Sequence, residues 1–80
     1  MQYPKTIYIA TIDGFSPSGT KYFYTKNSAI VWICSVLMTS NSLNITEVLK
    51  TLLETNEYIV YNDNHLPQLE CWIDETEIAE

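Results

Sequence analysis

Ala29–Met38 reads AIVWICSVLM, and whether this stretch is a helix or a third strand decides the fold. Its Ile, Val and Trp suit a strand, and it is too uniformly apolar to show a helical face by spacing alone. Its setting argues for a helix. Asn27 or Ser28 can cap free N-terminal amides, the run extends to about Thr39, and the polar TSNS segment at 39–42 closes it. A bilayer span needs roughly 20 apolar residues. This run is about half that length and Ser35 interrupts it, so a membrane helix is not expected.

Working outward toward the C-terminus, Asn44–Glu47 (NITE) is a variant capping box, with Leu43 and Val48 placed as a hydrophobic staple. Ile45, Val48, Leu49, Leu52 and Leu53 follow at helical spacing, Lys50 can pair with Glu47 and Glu54, and Asn56 is a C-cap candidate. The same Asn44-Ile45-Thr46 matches the N-glycosylation pattern, but a helix cap already accounts for it. Next comes a strand, Glu57–Tyr61 (EYIVY), and a cluster of turn formers, Asn62-Asp63-Asn64-His65. In the closing strand Leu69, Cys71 and Ile73 alternate with Glu70, Trp72 and Asp74, so one side is buried and the other wet.

Toward the N-terminus, Lys5–Ile12 (KTIYIATI) is a strand with Ile7 and Ile9 on one face and Tyr8 and Ile12 on the other. The loop DGFSPSGT at 13–20 leads into Lys21–Thr25 and completes a hairpin. The order is ββααββ, an α+β fold. Its economical packing is a four-stranded antiparallel sheet with both helices packed on one face, in a single domain over residues 1–80.

The totals agree with one small core. With 46% apolar residues, the 80-residue chain can pack without metal or disulfides. Cys34 and Cys71 lack the C-x-x-C spacing of zinc or redox sites and read as buried thiols. The opening MQYPKTIYIATIDG alternates like a strand where a secretory signal would have a basic start and an apolar run, so a cytoplasmic location is expected. Charge is polarised: residues 1–50 carry four lysines against two acids, and residues 51–80 carry eight acids and no base. The chain has no arginine, the residue best suited to bidentate phosphate contacts, which disfavours direct nucleic-acid binding.

Catalytic and metal motifs are wanting. The single histidine, His65, lies among turn formers without a nucleophile context, and no cofactor is implied. Glu70, Trp72 and Asp74 share a strand face at about 7 Å spacing, wide for one metal, so a solvated face is the simpler reading of these carboxylates. DGFSPSG lacks the lysine of a phosphate loop and leads into a strand, which leaves it a hairpin tip where Phe15 can serve as a contact. Tyrosines crowd the strands, and some of Tyr8, Tyr22, Tyr24, Tyr61 and Trp72 must reach the open sheet face. Tyr and Trp there are either ordinary strand formers or large contact residues.

KTIYIAT at 5–11, KYFYTKNSAIVWI at 21–33 and ECWIDETEIAE at 70–80 together resemble the small accessory proteins of phages and mobile elements, including anti-CRISPR and other anti-defence inhibitors. The resemblance implies a non-catalytic protein acting in the host cytoplasm. It would bind a host protein or protein–RNA complex at a basic nucleic-acid-binding surface. The contact residues expected on that basis are Glu70, Trp72, Asp74, Glu75 and Glu77, with Phe15, Tyr22 and Tyr24 as aromatic anchors. The alternative is a homodimer or scaffold module that uses its open sheet face.

Overall fold

In the computed structural model, which describes residues 5–14, 18–39 and 43–78, the deciding stretch is helical. Helix α1 spans Lys26–Leu37. Its cap is neither Asn27 nor Ser28 but Thr25, whose hydroxyl accepts the Ser28 N–H at 3.1 Å from an extended backbone. Threonine serves this role well, and it lets Lys26 begin the first turn. The face hidden in the sequence is clear in the fold. Ala29, Ile30, Ile33, Cys34 and Leu37 are buried, while Val31, Ser35 and Met38 are exposed.

Helix α2, Ile45–Thr55, has the expected caps: Asn44 Oδ1 accepts the Glu47 N–H at 3.2 Å, and Asn56 closes the helix in the left-handed conformation at φ 65°. Its apolar stripe is narrower than its spacing suggested. Val48 and Leu52 are fully buried and Ile45 partly, but Leu49 and Leu53 are 41% and 49% exposed. The reason is position: α2 packs against α1 on one side and only the sheet's edge strand below. Lys50 makes no ion pair with Glu47 or Glu54 among the described residues.

The strands are β1 (Lys5–Asp13), β2 (Gly19–Phe23), β3 (Glu57–Tyr61) and β4 (Pro67–Ile78), in the order β2-β1-β4-β3 with every pair antiparallel. β2 starts and ends two residues before its expected bounds, because Tyr24 and Thr25 already turn toward the α1 cap. β4 begins at Pro67 and runs well past β3, paired with β1 from Asp13↔Glu70 to Lys5↔Ile78. The first and last strands thus occupy the centre of the sheet.

One face of this sheet is the core. Ala10 and Ile12 of β1 lie opposite Ile73 and Cys71 of β4, and Tyr58 and Val60 of β3 lie opposite Cys71 and Leu69. These side chains join the buried faces of α1 and α2 in a single cluster. Burying an Ile or Leu fully is worth about 1.5–3 kcal/mol, and Ile12, Ile30, Ile33, Leu37 and Leu52 are all at or below 1% exposure. Among the described residues no helix is long and apolar enough to cross a membrane.

Candidate functional site

Alternation along each strand sends the remaining side chains to the face that no helix covers. The register assembles them in rows. Thr20, Thr11, Trp72 and Glu57 form one row, Tyr22, Ile9 and Asp74 a second, and Asp13, Glu70 and Ile59 a third. Trp72, partly buried, therefore has Glu70 and Asp74 two residues away along its own strand and Glu57 directly across on β3. Asp13 lies directly across from Glu70. Among the described residues the one base on this face is Lys5, at the far end opposite Ile78.

Like charges directly opposed on a sheet are unfavourable by a few tenths of a kcal/mol or more, and Asp13 and Glu70 are such a pair, while Glu57 faces Trp72 and Asp74 faces Ile9. A shallow groove of about 450 Å³ runs beside the indole, between Asn56, Glu57 and Ile59 on one side and Glu70, Trp72 and Asp74 on the other. A smaller cleft brings Tyr22 and Tyr24 to the side chain of Ile7. Both tyrosines are more than two-thirds exposed.

The residues singled out in the sequence are divided by this geometry. Glu70, Trp72, Asp74 and Tyr22 share the open face, and Tyr24 borders it just past the end of β2. Glu75 and Glu77 belong to the opposite, helix-bearing side of the sheet, where Glu75 lies across from Tyr8, which packs against the core. Both are exposed. Phe15 lies outside the described residues. Glu57, Asp13, Ile9 and Ile59 were missed: each looks ordinary in its own strand, and only the pairing of β1 and β3 with β4 brings them to Trp72.

His65 sits in the β3–β4 turn at φ 62° and donates its N–H to the Asn62 carbonyl at 2.9 Å. Asn62 Oδ1 accepts from the amides of Asn64 and Leu66, which closes that turn. Both cysteines are free and buried, and burial pushes both thiols above their usual range. Among the described residues no group of His, Cys, Asp and Glu side chains converges to hold a metal ion.

No protein-family model, curated protein or solved structure matches the chain.

Proposed function

We propose that the chain is a non-catalytic binding protein whose open sheet face docks on a basic surface of another protein. In its specific form this is an inhibitor that occupies the nucleic-acid-binding surface of a host defence complex. The observation that carries the reading is Trp72, half-buried in an uncovered sheet face and enclosed by Glu57, Glu70 and Asp74. An indole rimmed by carboxylates offers an apolar anchor together with partners for lysine and arginine. Acids gathered on one face attract a cationic partner and speed its encounter.

Affinity capture from the host, using the wild-type chain, Trp72→Ala and the double variant Glu70→Lys/Asp74→Lys, tests this. The expected result is a nucleic-acid-binding protein retained by the wild type, released by added nucleic acid or by salt, and lost with both variants. Retention by both variants overturns the reading. Recovery of the chain itself alone, with a dimer on sizing, favours self-association through the same face instead.

A further inference from the structure

A second surface arises from the unequal lengths of β3 and β4. The β3–β4 ladder ends at Glu57↔Trp72, followed by one last bond from the Ile73 N–H to the Asn56 carbonyl at 2.8 Å. The left-handed backbone of Asn56, at φ 65°, marks where α2 ends and β3 begins, so β3 has no residues to offer beyond this point. Among the described residues β4 continues to Ile78 with β1 on its other side only.

In an antiparallel sheet the N–H and C=O of one residue point to the same side, and successive residues alternate. Ile73 points toward β3. Glu75 and Glu77 therefore turn their N–H and C=O groups to that same side, where β3 is no longer present, while Asp74 and Thr76 bond to Ile9 and Ile7. An open edge of this kind is a template for another strand.

The charges around the edge select the occupant. Asp74 flanks it on the open face, and Glu75 and Glu77 flank it on the other. A second copy paired antiparallel along this edge would set these acids against one another, and each chain already carries a net charge of −6. The same carboxylates attract an extended segment bearing lysine or arginine. We propose that the β4 edge at Glu75 and Glu77 takes up such a segment of another protein by strand addition. This inference uses the backbone edge and does not rest on the Trp72 face.

The test is amide hydrogen exchange on the full chain with a short synthetic peptide of alternating lysine and valine. At peptide concentrations ten times Kd, the Glu75 and Glu77 amides should exchange about tenfold more slowly. Asp74 and Thr76, already bonded to β1, should not change. The Glu75→Pro variant removes one outward donor without touching the β1 ladder, and should lose the effect. Should that variant fail to fold, Glu75→Gln/Glu77→Gln keeps the donors and should weaken peptide binding at low salt. Trp72→Ala should leave peptide protection intact. Unchanged exchange at Glu75 and Glu77 under saturating peptide overturns the proposal. So does equal protection by an alternating glutamate–valine peptide, or protection that appears at high protein concentration without peptide.

Discussion

Gly14 lies so close to the main chain of Gln68 that no side chain fits between them: a Cβ on Gly14 would run into the Gln68 carbonyl oxygen and stand 3.3 Å from Leu69 Cα. This contact pins the start of the loop after β1 against the start of β4. Gly14 also holds φ at +86°, a conformation that costs other residues free energy. Gly14→Ala should therefore destabilise the chain by about 2 kcal/mol or more, through strain and through displacement of backbone that cannot swing aside. Urea unfolding measures it, and a change of less than about 0.5 kcal/mol would show that the loop relaxes freely.

On α2, leucines one and three positions apart differ in consequence. Leu52→Ala should cost about 2–5 kcal/mol because it empties a fully buried site, whereas Leu49→Ala and Leu53→Ala should each stay near or below about 1 kcal/mol. Equal losses at Leu49 and Leu52 would mean that something covers the outer side of α2 in solution.

The contrast shows what the sequence could and could not convey. The strand and helix order was legible because each element has a local cause: alternation in KTIYIATI and LECWID, the Asn44 cap, the turn formers after Tyr61. The capping of α1 was misplaced because Thr25, Asn27 and Ser28 are all competent caps, and only the position of β2 decides among them. Leu49 and Leu53 sit at helical spacing, but spacing cannot tell how wide a surface the helix meets. The candidate site was half legible. Glu70, Trp72 and Asp74 alternate within one strand, whereas Glu57, Ile9 and Asp13 reach them only through non-local register, which no local pattern encodes.

The junction between α2 and β3 depends on a residue that tolerates positive φ. Asn56→Val, with a β-branched side chain at φ 65°, should lose about 1–2 kcal/mol, while Asn56→Gly should be neutral or slightly stabilising. Asn44→Ala at the other end of α2 should cost about 1 kcal/mol by freeing the Glu47 amide. Thermal unfolding of the three variants checks the order, and an Asn56→Val variant as stable as Asn56→Gly would contradict the left-handed cap.

The buried thiols make stability fall at high pH. Cys71 is fully buried, and that burial, reinforced by the nearby Cys34, pushes its thiol up from 9.0 to about 12. Burial raises the Cys34 thiol as well. In the unfolded chain Cys71 releases its proton near 9.0, while the folded chain holds it to about 12. Across that window the folded state binds more protons, so stability declines as pH rises, and the full contribution is present only below the unfolded value. The slope per thiol reaches about 1.4 kcal/mol per pH unit. Cys71→Ala removes one of the two titrating groups. It should be less stable than wild type at neutral pH, because a core side chain is shortened, yet lose stability more slowly above pH 9.0. Urea unfolding of the pair at a series of alkaline pH values reads the difference directly, and parallel declines would show that Cys71 does not hold its proton in the fold.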